Sequence, residues 1–518
     1  MKKRIHIIRI WIFVVILLFF LLTVYRYVLT PYGPGVTPDS VCYGAMAQSI
    51  AREGIPMVNG RIPAHWPPGY PAIIGLLMHG TSIMDPVRIV AWLNLFLWLA
   101  SGGLFYWLLR RLAFDRNVAV LYAVGFILSQ GIWSLYRMMW TEPLFMTVML
   151  IVLLLWSVYR DKGDILYLAL VGLLLGLLFW IRYAALGIIG GFGLILLIDF
   201  LKGRIPFKAL LAWLLPLIFL IAIWWQWYRK SAIGSSVRHL GWHPPGLSHY
   251  LWGIKSVLIW WIPCKTNPWF WICTIGLGGI LVYALYKRWK SFSATSPALS
   301  FSLPVFWYDG LILSGTYVLF IWLTATFFDP LLDFNGRILS PLFPLFYAGL
   351  LWGLDKYARL RQIAIIVTLV VAMGGMVSAR NYYLHGAGFT GRSYKQSEIF
   401  TNRLLNKFHG RIITNAPEYL FFKYGRIEPG MDCYILTIRD TLYPSVYLRR
   451  EINRGGALIL YFDDVKRKRF VDKDSLWHAF PPRYRRKFSG GWLLGKPERI
   501  KDVINNNASS KSLKEDRK

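Results

Sequence analysis

Charge, cysteine and the common nucleotide and metal signatures are all scarce in this chain. Only 16% of the 518 residues are charged against 56% hydrophobic, and the apolar residues run together in long blocks instead of recurring at amphipathic spacing. That pattern excludes an ordinary water-soluble fold. Four cysteines are too few to define a disulfide framework, although Cys42, Cys264 and Cys433 fall in segments assigned below to the outer side. No Cys/His spacing of the zinc type, no P-loop and no heptad block is present, so no structural zinc, P-loop site or coiled coil is expected. Asp472-Lys-Asp474 has the form of the acidic pair that binds metal in nucleotide-sugar enzymes, but it lacks glycine-rich or apolar support and reads as solvated.

The apolar residues form eleven runs, near 7–28, 87–109, 117–136, 143–158, 165–181, 184–201, 209–228, 268–286, 305–328, 338–354 and 362–379. About 20 mostly apolar residues cross a bilayer as a helix. The first run follows Lys2, Lys3 and Arg4 and is too long for a signal core, with no small-residue cleavage site after it, so it reads as a retained helix. Short cytoplasmic loops keep Lys and Arg. Arg110, Arg111 and Arg116, then Arg160 and Lys162, then Lys202, Arg204 and Lys208, then Lys287, Arg288 and Lys290, then Lys356, Arg359 and Arg361 alternate in a way that puts them inside with the N-terminus.

The expected architecture is an all-α polytopic membrane protein of about eleven transmembrane helices with a small C-terminal extracytoplasmic α/β domain. The membrane domain spans 1–380, with long outer loops at 29–86 and 229–267. The soluble domain spans 381–502, and 503–518 reads as a disordered basic tail. The location implied is the plasma (cell inner) membrane, with the N-terminus cytoplasmic and the C-terminal domain outside. From Arg380 onward the chain carries 28 Lys plus Arg against 14 Asp plus Glu, out of a net +32. Long translocated domains escape the positive-inside bias, and a basic surface beside a membrane suits anionic lipids or polyanionic glycans, or is a solvated face. Nothing points to nucleic acid.

Long ordered loops tend to carry function. In 29–86 a short helix is expected from Asp39 to about Glu53, and an interfacial helix over 72–79. Asp39 and Tyr43 fall one turn apart on one helix face, where a carboxylate at the bilayer rim suits a general base; Asp39 also reads as a helix cap. Glu142, followed by Pro143, stands at the outer mouth of the third and fourth helices, either as a second carboxylate that orients an acceptor or binds a cation, or as a first-turn acid favoured by the helix dipole. Arg337, between the ninth and tenth helices, is placed to hold a lipid phosphate through its planar fork of donors, or else snorkels. Arg137 and Arg182 are further candidates of the same kind. His65 and Tyr70, in Ala64-His-Trp-Pro-Pro-Gly-Tyr-Pro71, are candidate substrate contacts with Tyr43, though an interfacial histidine is also often structural.

Four segments in order, Asp39-Ser-Val-Cys-Tyr43, His65-Trp-Pro-Pro-Gly-Tyr-Pro71, Thr141-Glu-Pro-Leu-Phe145 and Arg337-Ile-Leu-Ser-Pro-Leu-Phe-Pro344, resemble the membrane-embedded GT-C glycosyltransferases. The branch is similar to protein O-mannosyltransferases and aminoarabinose transferases. Arg411 to Arg426 also resembles the post-membrane domain of prokaryotic members. The resemblance implies transfer of a sugar from a polyprenyl-phosphate carrier, with inversion, to a glycan, lipid or protein acceptor at the outer face. Asp39 would then be the base, Glu142 the assisting acid and Arg337 the ligand of the donor phosphate. The family often has two acids at the first motif, whereas Ser40 follows Asp39 here. A divalent cation is therefore possible but unsupported, and no cofactor is required. The rival reading is a multi-pass transporter, or a flippase or ligase of lipid-linked glycans, to which glycine-rich stretches such as Gly187 to Gly193 would also be suited.

Overall fold

The computed structural model describes residues 30–58, 60, 62–63, 65–83, 85–231, 240–260, 275–276, 278–279, 303–329, 332–355, 358–408, 410, 412–424, 444–463 and 473–504. The expected first helix at 7–28, nearly all of the run at 268–286 and the tail after 504 lie outside these residues, as do Asp472, Cys264, Cys273 and Cys433. Contacts divide the chain into two units, one of residues 1–34 and 42–384, the other of 35–41 and 385–518.

The first unit is helical. Helix α1 (Pro38–Glu53) starts in the second unit and continues into the first; α2 (Gly69–Thr81) and α3 (Pro86–Arg111) follow. Then come α4 (Arg116–Leu128), α5 (Gln130–Tyr136), α6 (Glu142–Lys162), α7 (Ile165–Ile181), α8 (Ala185–Leu201), α9 (Phe207–Ser231), α10 (Leu247–Leu258), α11 (Leu303–Phe327), α12 (Phe343–Asp355) and α13 (Ala358–His385). Five of these, α3, α6, α9, α11 and α13, are long and apolar enough to cross a membrane; α7 and α8 are shorter apolar helices. The chain is a multi-pass membrane protein.

Two expected spans are broken by identifiable residues. The run at 117–136 divides into α4 and α5, bent by 53°. Ser129 stands extended between them, its hydroxyl donating to the Phe126 carbonyl at 2.7 Å and accepting the Ile132 N–H at 3.3 Å. One side chain thus ends the first helix and caps the second. The run at 338–354 opens with a 3₁₀ turn, Ser340–Leu342, and leaves α12 only 13 residues long. Pro341 and Pro344, which lack N–H donors, delay the helix. Acids cap other helices: Asp85 accepts from Val87, Asp115 from Asn117 and Asp164 from Leu166, each at 2.9 Å.

Glycines set the close packing of α8 on α11. A Cβ on Gly187 would lie 2.8 Å from the Tyr317 Cα, and one on Gly191 2.9 Å from Leu313. The stretch that would also suit a transporter therefore serves helix contact. At the end of α6 away from Glu142, the Arg160 guanidinium donates from Nε and Nη2 to both oxygens of Asp309 at 3.1 and 3.0 Å and from Nη1 to Asp199 at 2.5 Å. Trp156 Nε1 adds a bond to Asp309 at 2.8 Å, and Arg204 pairs with Asp199 at 3.1 Å. Both aspartates are buried. The cluster ties α6, α8 and α11 together, since a buried carboxylate is tolerable only when paired.

The second unit carries a four-stranded sheet in the order β1-β2-β4-β3. Its elements are α14 (Arg392–Lys407), β1 (Ile412–Thr414), α15 (Pro417–Tyr424), α16 (Pro444–Gly455), β2 (Leu458–Phe462), α17 (Lys473–Ala479), β3 (Arg485–Phe488), β4 (Gly491–Leu494) and α18 (Pro497–Ile504). Strands β1 and β2 are parallel; β2 with β4, and β4 with β3, are antiparallel. Ile413, Ile459 and Leu494 of the sheet pack with Leu448 and Ile452 of α16 and Leu476 of α17. Asn415 closes the end of β2 by exchanging two hydrogen bonds with the Phe462 backbone, at 2.8 and 2.9 Å. Segment 35–41 joins this unit through a parallel bridge between Val36 and Gly388.

Candidate functional site

Helix α6 begins with Glu142 and Pro143 after Thr141. Pro143 supplies no N–H in the first turn, where none is needed. The Glu142 side chain is buried, with the residue only 1% exposed, and a solitary carboxylate could not remain ionised there. It is not solitary. Its Oε1 accepts a bond from Arg182 Nη1 and a second, at 2.5 Å, from Arg337 Nε, while Thr141 Oγ1 donates to Oε2 at 3.3 Å.

The arginines reach this carboxylate from different elements. Arg182 follows α7 in an extended conformation that ends the helix, its N–H still bonded to the Leu178 carbonyl at 2.9 Å. Arg337 lies in a turn between α11 and α12. Asn335 Oδ1 accepts the Ile338 N–H at 3.0 Å, Ser340 Oγ donates to the Arg337 carbonyl at 2.7 Å, and the Tyr317 hydroxyl of α11 donates to the Ile338 carbonyl at 2.6 Å. The guanidinium of Arg337 sits 4.5 Å from the Trp140 ring centroid, a cation–π contact that fixes its plane.

Tyrosines complete the cluster. Gly69 starts α2 so close to the end of α7 that a Cβ would lie 2.7 Å from the Trp180 carbonyl oxygen. Tyr70 follows Gly69 as the next residue of α2, so this close contact brings it beside the end of α7. The Tyr70 hydroxyl is fully buried and has no hydrogen-bond partner among the described residues. Burial pushes its pKa well above the ordinary tyrosine value, and Tyr43 and Glu142 push it the same way, so it is a neutral donor. The Tyr43 ring of α1 packs edge-on to Tyr70 at 5.5 Å between centroids.

Asp39 stands in the first turn of α1, half-buried, one turn before Tyr43. Thr37 and Ser40 contribute capping bonds there. The Thr37 N–H donates to Ser40 Oγ at 3.0 Å, the two hydroxyls lie 2.9 Å apart, and the Thr37 carbonyl accepts the first helical bond from Val41 at 3.1 Å. This is the reaching-back half of a capping box, with Pro38 at the first helical position, so Ser40, the residue that departs from the two-acid pattern, has a local structural task.

The structure thus brings together Glu142, Arg182, Arg337, Tyr43 and Tyr70. Arg137 is committed to α13, its guanidinium 5.0 Å from the Tyr382 ring centroid and its Nη1 3.4 Å from Ser378 Oγ. His65 is exposed and packs edge-on to Trp66 at 4.8 Å. Sequence reasoning gave no role to Trp140 or Tyr317. Trp140 was legible as the aromatic beside the Thr-Glu-Pro motif, whereas Tyr317 lies in an apolar run with nothing to mark it. Among the described residues no group of three or more His, Cys, Asp or Glu could hold a metal ion.

No family model and no curated protein matches this chain. Among solved structures it is similar to ArnT from Cupriavidus metallidurans in the apo state, with a TM-score of 0.55 and 12% identity over 93% of this chain and 97% of that one. The same protein bound to undecaprenyl phosphate gives a TM-score of 0.53, with the same identity and coverage. The archaeal oligosaccharyltransferase AglB from Archaeoglobus fulgidus, in complex with an inhibitory peptide and a dolichol-phosphate, is more distant, with a TM-score of 0.46 and 11% identity over 85% of this chain and 68% of that one. ArnT is a GT-C glycosyltransferase, and this chain has the GT-C fold.

Proposed function

We propose that this protein is an inverting glycosyltransferase that moves a sugar from a polyprenyl-phosphate carrier to an acceptor glycan, lipid or protein at the outer face of the plasma membrane. The observation that carries the reading is the pair of arginines, Arg182 and Arg337, held on one buried carboxylate at the ends of membrane helices. Planar guanidinium groups fixed in place suit a phosphate group, and the GT-C fold provides the setting. The undecaprenyl phosphate bound by ArnT is a carrier of the class proposed here.

Asp39 is the base. It removes the proton of the acceptor hydroxyl while that oxygen forms a bond to the anomeric carbon of the sugar. The bond from that carbon to the carrier's phosphate oxygen breaks on the opposite face, and its electron pair remains on the phosphate. Inversion follows from the single displacement. Charge accumulates on the leaving phosphate, where Arg182 and Arg337 are already oriented; a preorganised donor of this kind is typically worth about 3 kcal/mol in the transition state. Tyr70 donates a neutral hydrogen bond to the sugar or phosphate, and Tyr43 positions it. Glu142 holds the arginines rather than transferring a proton. Positive charge from two arginines serves where other designs use a cation, so transfer is expected to survive chelators.

The test is transfer in nanodiscs from polyprenyl-phosphate sugars to envelope acceptors, read by mass spectrometry, with Asp39→Asn as the decisive variant. Loss of transfer with an intact fold and retained carrier binding supports the reading. Full activity in that variant removes Asp39 as base, and movement of substrate across vesicles without any new glycosidic bond overturns the whole proposal.

A further inference from the structure

The long outer loop 229–267 supplies none of the groups in the cluster of Glu142, Arg182 and Arg337, yet it packs on the turn that carries one of them. Within it, Gly253 and Ser256 of α10 and Trp260 just beyond are buried, at the spacing that puts residues on one helix face. Trp260 stays on that helix, its N–H donating to the Val257 carbonyl at 3.1 Å. A Cβ on Gly253 would lie 3.0 Å from the Phe334 Cβ, and one on Gly336, the residue before Arg337, 3.1 Å from Trp260 Nε1. Both glycines let helix and turn approach to contact distance.

Trp260 is the wedge of this arrangement. It is only 4% exposed, and its ring packs edge-on to Phe343 at the start of α12, 5.1 Å between centroids. A Cβ on Gly131 of α5 would lie 2.9 Å from its Cδ1. One indole thus abuts α5, α12 and the backbone of Gly336. Interiors are packed as densely as organic crystals, so a large ring held this closely passes position from one element to the next. Arg337 is bounded on both sides along the chain, by Trp260 at Gly336 and by the Tyr317 hydroxyl at the Ile338 carbonyl.

We infer that Trp260 is a positioning residue for the phosphate site: seated on α5 and α12, it fixes the backbone at Gly336 and so the reach of Arg337 toward Glu142 and the carrier's phosphate. The inference rests on the proposed function and gives the loop 229–267 a part in it. Trp260 acts through Arg337 and not on the substrate.

The experiment measures binding of undecaprenyl phosphate to the full-length protein in nanodiscs. Trp260→Ala is expected to weaken binding by about tenfold, since small misplacements of an oriented group are costly. Trp260→Phe, which keeps an aromatic ring in the same space, should recover most of the loss. Arg337→Gln weakens binding on its own account. In the Trp260→Ala/Arg337→Gln double variant the tryptophan change should cost no more than about twofold further, because changes that act through one contact are not additive. A merely structural role would make Trp260→Ala cost the same with and without Arg337. That result, or wild-type affinity in a folded Trp260→Ala, overturns the inference. If Trp260→Ala does not fold, Gly336→Ala, which forces a methyl group against the indole, takes its place in the same cycle. Absence of binding by the wild type overturns the proposed function itself, whereas binding that responds to Arg337→Gln but not to the change at Trp260 overturns the inference alone.

Discussion

Val36 and Phe389 are joined backbone to backbone, the Phe389 N–H donating to the Val36 carbonyl at 2.8 Å. Gly388, with φ +57°, brings the chain so near that a Cβ would lie 2.0 Å from the same oxygen. Both the conformation and the space require glycine. The segment fastened in this way leads three residues later to Asp39. Gly388→Val is therefore expected to lower kcat by at least about tenfold, in line with the sensitivity of transfer to small misplacements of a reacting group. Carrier affinity should stay within about twofold, since the arginine cluster belongs to other elements. Steady-state kinetics beside a lipid-binding assay checks the split.

Arg337→Lys tests whether charge alone suffices. Lysine keeps the positive charge but loses the planar fork and the stacking on Trp140, and the exchange is not conservative at such a site. Transfer should fall by about a hundredfold, equivalent to roughly 3 kcal/mol of transition-state stabilisation, while the thermal midpoint moves little. A lysine variant with wild-type turnover would show that Arg337 does not orient the phosphate.

Tyr70→Phe should separate binding from folding. The hydroxyl is buried without a partner, so removing it relieves a desolvation cost of about 1–3 kcal/mol in the empty protein. The variant is expected to melt at the same temperature or higher, yet to show a raised KM for its substrate. A destabilised variant with unchanged KM would contradict the assignment.

At the other end of α6, Asp309→Asn breaks the bidentate bond from Arg160 and leaves a buried guanidinium short of one counter-charge. Loss of one partner from a buried pair typically costs about 3–5 kcal/mol. A lower melting temperature in detergent is expected, with per-molecule activity of the surviving folded protein close to normal.

Much of this architecture is legible because membrane helices announce themselves by composition. The helices beginning at Pro86, Glu142 and Phe207 start close to where the apolar runs do. The break at Ser129 was hidden, because a serine in an apolar run is also tolerated inside a helix, and only its doubled capping bonds reveal the turn. In the sheet, β2 is a continuous apolar stretch and was readable. Strand β3, Arg-Arg-Lys-Phe, is an edge strand whose charges mask its strand character while discouraging further pairing. The arginines were individually visible as basic residues near helix ends. What the sequence could not reveal was that Glu142 gathers two of them, since residues 142, 182 and 337 meet only after helices have packed. Asp199 and Asp309 carried an overlooked signal, for an acid within or closing an apolar run demands a partner.

Under the proposed function, the bridge from Val36 to Gly388 also bears on when activity can begin. During synthesis the ribosome completes Asp39 while the glycine that fastens its neighbour is still hundreds of codons away, so a nascent chain can insert helix after helix with its reacting carboxylate untethered. On that reading, a nascent chain that has not yet reached Gly388 lacks the fastening beside its proposed base and is expected to leave carrier lipid untouched.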